Sequence, residues 1–392
     1  MLLLYILHFV SITFLVFHAV GWFISLLKQR KIGSVSHQER KFALVITAYQ
    51  NVDITAPLLA SLAQQTYRNH AVFLVADCCD IEAAQKIAAQ YAIHLILPAT
   101  PLRSKIKAIK TVVEQLDDSF DAIVIFDPDN LAHPQFLHTI NATMDAGFEA
   151  VQGQRTAKNL DTTIACLDAL GEYYYNVNTR LIPFSIGSSA TIAGSGMAIS
   201  LSLYKQYLQL AGVTEAPGKV IIAEDKILQT FLVSIGKTIA YAPKALVYDE
   251  KITTANQLQR QRTRWINTWF KHTREGVGLL QKRSWHTTWF AMLTFYPPMF
   301  MQCLFAIALV GVDLVYMPSL TYVMLAGIAI YCIHFMHSLK IGKAPSKVVY
   351  AMFALPLFMY KQMISLIQMK KSNRDFMVTA HTKTIRIEDL KF

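Results

Sequence analysis

The chain has 392 residues, of which 53% are hydrophobic and only 16% charged, and it carries a formal net charge of +11. That balance excludes an ordinary soluble protein, while the length suits one soluble domain plus several membrane helices. A basic excess can mark a nucleic-acid binder, but here Lys and Arg gather beside the apolar runs, where positive-inside topology and anionic headgroups account for them. No nucleic-acid partner is expected.

In chain order, Leu2 to Leu27 contains no Lys, Arg, Asp or Glu and is long enough to span a bilayer. A cleaved signal peptide would begin with basic residues and end at a small-residue cleavage site. Here the basic residues follow the run, at Lys28, Arg30, Lys31, Arg40 and Lys41. Residues 1–31 therefore read as an uncleaved anchor, with the N-terminus outside and the next domain in the cytosol. From Phe42 to about Asp249 the pattern turns to β-rich runs alternating with helical ones, which argues for an α/β domain with a mostly parallel sheet over residues 42–250. Strands are expected at Phe42–Thr47, Ala71–Ala76, His94–Leu97 and Ala122–Phe126, and helices at Thr55–Thr66, Glu82–Tyr91 and Lys105–Leu116. Residues 251–284 read as interfacial helices.

A second apolar block over residues 285–371 offers spans at Phe295–Tyr316 and Leu320–Leu339. The run Val348–Met369 is different. Lys361, Ser365 and Gln368 recur at helical spacing, which suits an interfacial or re-entrant helix better than a lipid-exposed span. Residues 372–392 then form a cytosolic tail. The five cysteines, Cys78, Cys79, Cys166, Cys303 and Cys332, match neither a zinc site nor a disulfide framework.

The chemistry-bearing residues stand at expected strand and helix ends. Asp77 and Asp127 follow two strands, and ligands of open α/β sheets bind beyond the carboxyl ends of the strands. If Pro128 holds the chain extended, Asp127 and Asp129 point the same way and can hold one Mg2+ or Mn2+ against a diphosphate. The alternative is a solvated turn, since Asp127-Pro128-Asp129-Asn130 is rich in turn formers. Lys105 can meet a diphosphate as a point charge. Gly194-Ser195-Gly196 lets a ligand approach the backbone, or is simply a turn. Glu224-Asp225 opens a helix, either as a cap or dipole partner or to supply a general base for an acceptor hydroxyl. Gln261, Arg264 and Trp265 read Q-x-x-R-W on a helix. Arg264 offers a planar fork to diphosphate oxygens and Trp265 an aromatic face to a sugar. The same helix also reads as an interfacial anchor, because Trp269, Phe270 and Lys271 follow.

In this order the three motifs, Asp127-Pro128-Asp129, Glu224-Asp225 and Gln261-to-Trp265, resemble those of membrane-bound family 2 glycosyltransferases, the processive cellulose, hyaluronan and chitin synthases among them. The resemblance implies a Rossmann-like, glycosyltransferase A-type domain with transmembrane and interfacial helices. It implies a Mg2+ or Mn2+ cofactor on Asp127 and Asp129, and donor contacts from Asp77, Lys105, Asp127, Gln261 and Arg264. Acceptor contacts would come from Gly194, Ser195, Gly196 and Trp265. Asp225 would be the catalytic base, with Glu224 shaping its pocket. Phe376-Met377-Val378-Thr379-Ala380-His381 is similar to an F-x-V-T-x-K gating loop, so Phe376, Val378, Thr379 and His381 would close over the nucleotide. This chain departs from the pattern at Cys78-Cys79, where the family has a second Asp and a Gly, at Ser104 for Gly, at Lys110 for Asn, and at His381 for Lys.

The resemblance implies inverting transfer from a UDP-sugar to a growing polysaccharide, at the inner (plasma) membrane, by a multi-pass protein whose catalytic domain is cytosolic. Its partners are then the nucleotide sugar, a glycan or lipid acceptor and the bilayer. A single-transfer lipid glycosyltransferase, similar to ceramide glucosyltransferases, is the alternative. A silent membrane scaffold or a transporter would not need these motifs intact.

Overall fold

The structure is a computed structural model, described here for residues 2–30, 38–210, 224–368 and 385–390. The chain divides into two compact units, one of residues 31–159, 189–251 and 376–392, the other of residues 1–30, 160–188 and 252–375. The stretch 160–188, inside the expected 42–250 domain, thus clusters with the apolar helices.

The first unit is built on one sheet. Its strands are β1 (Phe42–Tyr49), β2 (His70–Asp77), β3 (His94–Ile96), β4 (Ala122–Phe126), β5 (Leu131–Ala132), β6 (Ala150–Ala157), β7 (Met197–Ser200) and β8 (Ile239–Asp249). Their order is β3-β2-β1-β4-β7-β6-β8-β5. The run Ala122-Ile123-Val124-Ile125-Phe126 is buried throughout, as a central strand covered on both faces must be. In the register, Ile46 stands opposite both Leu74 and Phe126, so β1, β2 and β4 end at one edge. Asp77 and Asp127 therefore emerge together at the carboxyl ends of their strands.

The sheet is mixed. β7 runs antiparallel to both β4 and β6, and β5 antiparallel to β8, while β1 to β4 and the β6–β8 pair are parallel. A four-residue strand such as Met197–Ser200 has no periodicity that encodes its direction. Its pairing comes from the chain's return to the sheet after residues 160–188.

In the other unit, Leu2–Leu27, Met299–Tyr316 and Pro318–Ile341 are three helices long and apolar enough to cross a membrane, which suggests a multi-pass membrane protein. Leu15, Ala306, Leu309, Met324 and Tyr331 form a buried cluster among them. Gly21 permits close packing, since a Cβ there would lie 2.7 Å from the Trp289 ring. The expected segment Val348–Met369 is broken into Ser346–Tyr350, a 3-10 turn at Ala351–Ala354 and Leu355–Gln368. Among the described residues no piece of it is long enough to span a bilayer. The side chains of Lys361, Ser365 and Gln368 lie outside the described set. Hydroxyl caps begin several helices of this unit: Thr162 accepts from Ala165, Thr254 from Gln257 and Ser284 from Thr287, each cap contributing about 1 kcal/mol.

Candidate active site

The strand β4 delivers Asp127 to the carboxyl edge. Beyond it the backbone is not extended: Asn130 N–H donates to the Asp127 carbonyl at 3.1 Å, closing a turn with Pro128 inside it. The Asn130 side chain accepts from Asp127 N–H at 3.1 Å and ties the turn a second time. The two carboxylates consequently sit in different surroundings. The Asp127 side chain is 29% exposed and pairs with Lys105 Nζ at 2.5 Å. Asp129 is only 4% exposed, and its Oδ2 accepts from Glu250 N–H at 3.3 Å.

Lys105 begins the Lys105–Val113 helix and donates also to the Gly194 carbonyl at 2.9 Å. Burial alone would lower its pKa, but Asp127, Glu224 and Asp225 outweigh that and hold the ammonium above its ordinary value. Glu224 and Asp225 open the Glu224–Ser234 helix, where Asp225 Oδ1 accepts Lys226 N–H at 2.9 Å. Burial pushes the Glu224 carboxyl up, against the pull of Lys105 and with the repulsion of Asp225 and Asp127. Gly194 has φ +82, and a Cβ there would stand 4.0 Å from Asp225 Oδ2, so its bare backbone faces the Asp225 carboxylate. Lys105, Asp127, Gly194, Glu224 and Asp225 thus converge at one edge of the sheet.

The Gly194-Ser195-Gly196 segment is held carbonyl by carbonyl. Arg155 donates to Ala193 at 2.6 Å, Lys105 to Gly194, and Gln152 Nε2 to Ser195 and Gly196 at 3.0 and 3.2 Å. Gly196 N–H donates to the Ile125 carbonyl at 2.8 Å, fastening the segment to β4. Ser195 Oγ is buried, with no hydrogen-bond partner among the described residues.

A second set of charges, absent from the expected site, braces the Asp127–Asn130 turn from β6 and β8. Arg155 and Lys251 bond Asp249 at 2.6 and 3.0 Å, and Asn130 donates to the same carboxylate at 3.3 Å. Lys158 donates to the Asp129 carbonyl at 3.1 Å and pairs with Glu250 at 3.3 Å. Burial would raise the Asp249 carboxyl, yet Arg155 and Lys251 hold it well below the usual carboxylate range. The available sequence signals were Gln152, Gln154 and Arg155 interrupting a strand and the charged triplet Asp249-Glu250-Lys251 ending another. Neither names its partner.

Asp77 is largely buried, and its two oxygens accept from Leu102 and Arg103 N–H at 3.0 and 2.7 Å. It therefore clamps the loop ahead of Lys105. Gln261, Arg264 and Trp265 belong to the other unit, on the Ala255–His272 helix. Gln261 Oε1 is buried without a partner among the described residues, where Arg264 likewise makes no ion pair. Trp265 is 40% exposed, with the Arg262 guanidinium 4.1 Å over its ring. Arg262 in turn bonds Asp168 at 2.5 Å, which pins this helix to the Thr163–Tyr175 helix. Phe376, Val378, Thr379 and His381 lie outside the described residues.

The carboxylates can be tested against a metal on this geometry. Among the described residues no three His, Cys, Asp or Glu side chains form a ready-made metal cluster. Asp127, however, is partly exposed and already holds a cationic group, the Lys105 ammonium. Mg2+ and Mn2+ use one or two carboxylates and fill their remaining positions with phosphate oxygens and water. The partly exposed Asp127 suits that mode, while the Asp129 carboxylate is buried and accepts from Glu250 N–H.

Among solved structures, a mannosyltransferase of Pyrobaculum calidifontis in complex with GDP-Man and Mn2+ aligns with a TM-score of 0.59 at 14% identity, covering 93% of this chain and 99% of that one. TarS 1-349 of S. aureus aligns at 0.45 and 14% identity, covering 76% and 90%. A glucosyl-3-phosphoglycerate synthase of Mycobacterium tuberculosis aligns at 0.38 and 15% identity, covering 56% and 75%. The first of these likenesses shows a shared fold. No curated protein sequence matches the chain. The model of the glycosyltransferase like family 2 matches residues 39–268, more than half of the chain, and the chain belongs to that family.

Proposed function

We propose that this protein is an inverting, metal-dependent glycosyltransferase that moves a sugar from a nucleoside-diphosphate donor, a UDP-sugar, to a growing polysaccharide at the membrane. The convergence of Asp127, Lys105, Gly194 and Asp225 at the carboxyl edge of the sheet carries the reading. A Mg2+ or Mn2+ ion held by Asp127 and Asp129 supplies neutralisation of charge on the leaving diphosphate. Lys105 gives up Asp127 as the donor arrives and turns its ammonium to the phosphates. Asp225 takes the proton of the acceptor hydroxyl, and Gly194 leaves the space in front of it open. Glu224 shapes that pocket, and Ser195 and Gly196 carry the acceptor side. Gln261 and Arg264 offer hydrogen bonds to diphosphate oxygens, and Trp265 a face for a sugar ring. Asp77, by clamping the loop before Lys105, sets the donor side where the base is read.

With the N-terminus outside, three crossings leave both the catalytic domain and the C-terminal tail in the cytosol. A cytosolic tail is what a gating role for Phe376 to His381 requires. A second reading, a single transfer to a lipid acceptor, is favoured by the same count, because three candidate spans among the described residues give little material for a polymer channel.

The test is purified protein incubated with a panel of UDP- and GDP-sugars, with and without Mn2+, followed by mass analysis of products. Chain extension supports the first reading and addition of one sugar to lipid the second. Undiminished transfer in excess EDTA would remove the metal from the mechanism.

A further inference from the structure

The described C-terminal residues return to the catalytic unit and pack behind the Asp127–Asn130 turn. Ile387 is 2% exposed and forms a buried cluster with Leu131 and Tyr248, flanked by Leu246, Ile385 and Leu390. Both partners are immediate neighbours of the site. Leu131 follows Asn130 in the chain and Tyr248 precedes Asp249. They face each other across the β5–β8 ladder, which has just two residue pairs, Leu131↔Tyr248 and Ala132↔Val247. The segment has its own shape, since Arg386 N–H donates to Asp389 Oδ2 at 2.9 Å across the short Ile387–Asp389 turn. Its Glu388 accepts a hydrogen bond from Gln64 on the neighbouring helix.

A two-residue strand at the edge of a sheet is too short to hold itself, yet Leu131 and Ala132 are fully buried. On the site side, the strand's lead-in turn is tied by Asn130 to Asp249 and by Asp129 to Glu250 N–H. On the far side, the cover includes Ile387. Any loss of the β5–β8 register moves Asp127 and Asp129, because the turn that carries them runs directly into β5.

We propose that the C-terminal segment Ile385–Leu390 is a docking peptide that positions the metal-binding turn, with Ile387 as its anchor. This deepens the metal-dependent reading above and rests on it for the metal alone. Ile387 touches neither donor nor acceptor. It acts through Leu131 and Tyr248 on the aspartates, so its effect falls on metal affinity and not on turnover at saturating metal.

The experiment compares full-length protein with Ile387→Asp and Ile387→Leu. Amide exchange is read over residues 127–132, Mn2+ binding is read by titration in the presence of nucleoside diphosphate, and thermal unfolding serves as control. Ile387→Asp is expected to speed exchange across 127–132 and to weaken Mn2+ by about tenfold, within the range that coupling through packed elements reaches. Turnover should recover at high Mn2+, with the main unfolding transition unmoved. Ile387→Leu should behave as the parent. Unchanged exchange at 127–132 in Ile387→Asp overturns the docking role whatever the metal does. Faster exchange in a protein whose parent binds no Mn2+ upholds the docking role and overturns the metal reading instead.

Discussion

His8 and Asp313 make a buried polar contact between two of the candidate membrane helices. His8 Nε2 lies 2.8 and 2.9 Å from the two Asp313 oxygens, and Nδ1 bonds the Leu4 carbonyl at 2.7 Å. A carbonyl only accepts, so Nδ1 carries a proton. The pair is nearly inaccessible to solvent, with side chains 4% and 0% exposed. At about 1.5 Å per residue, His8 lies about 9 Å in from Leu2 and Asp313 about 4.5 Å in from Tyr316. Asp313→Ala leaves His8 facing a void without its partner. Breaking a buried pair from one side costs about 3–5 kcal/mol, and the end-of-helix depth puts this one at about 3 kcal/mol, roughly a hundredfold in the unfolding equilibrium. His8→Leu combined with Asp313→Leu removes both desolvation costs and should return to within about 1 kcal/mol of the parent. The assay is denaturant unfolding, in detergent micelles, of the parent, His8→Leu, Asp313→Leu and the variant with both, read as a double-mutant cycle. A coupling energy below about 0.5 kcal/mol, the limit of additivity for independent sites, would refute a stabilising pair.

Other substitutions test the catalytic reading. Asp225→Asn should lower transfer by about 10²–10⁴-fold, the usual contribution of a general base, while nucleotide binding persists in a titration calorimeter; loss of nucleotide binding with normal turnover at saturating donor would move Asp225 to the donor side. Arg264→Lys keeps the charge but loses the bidentate fork, so donor affinity should fall, and an unchanged kcat/KM for donor would leave Arg264 as a membrane anchor only. Asp249→Asn should cost about 3 kcal/mol at neutral pH by leaving Arg155 and Lys251 underpaired. Because the folded carboxyl titrates below its unfolded value of about 3.9, its stabilisation is complete above about pH 5 and is lost as pH falls. The stability gap between mutant and parent should be flat from about pH 5 to 8 and narrow below about pH 4; a gap that widens in acid would contradict the assigned ion pairs.

Much of the scaffold was legible in the chain because it depends on local pattern. The unbroken apolar run Ala122–Phe126 could only be a strand covered on both faces, and the residue after it had to emerge at the carboxyl edge. The apolar stretches offered Leu2–Leu27, Phe295–Tyr316 and Leu320–Leu339 as spans by length, and three described helices there are long and apolar enough to cross a membrane. Tertiary structure decided what local pattern does not encode. The direction of β7 rests on its pairing with β4 and β6, not on the four residues of Met197–Ser200. The Asp127-to-Asn130 segment could be extended or a turn by its residues alone, and Asn130, by bonding Asp127 twice, makes it a turn. That Asp77 also accepts Leu102 and Arg103 N–H could not be read from the strand it ends. Arg155 and Asp249 stand 94 positions apart and Lys105 and Asp127 22 positions apart, and each charge had many possible partners in the sequence. Hydrophobic periodicity reports which face a residue turns to the core, because burial is a property of each position. An ion pair or a metal-holding turn is a property of two or more positions brought within about 4 Å, and that separation exists only once the chain has folded.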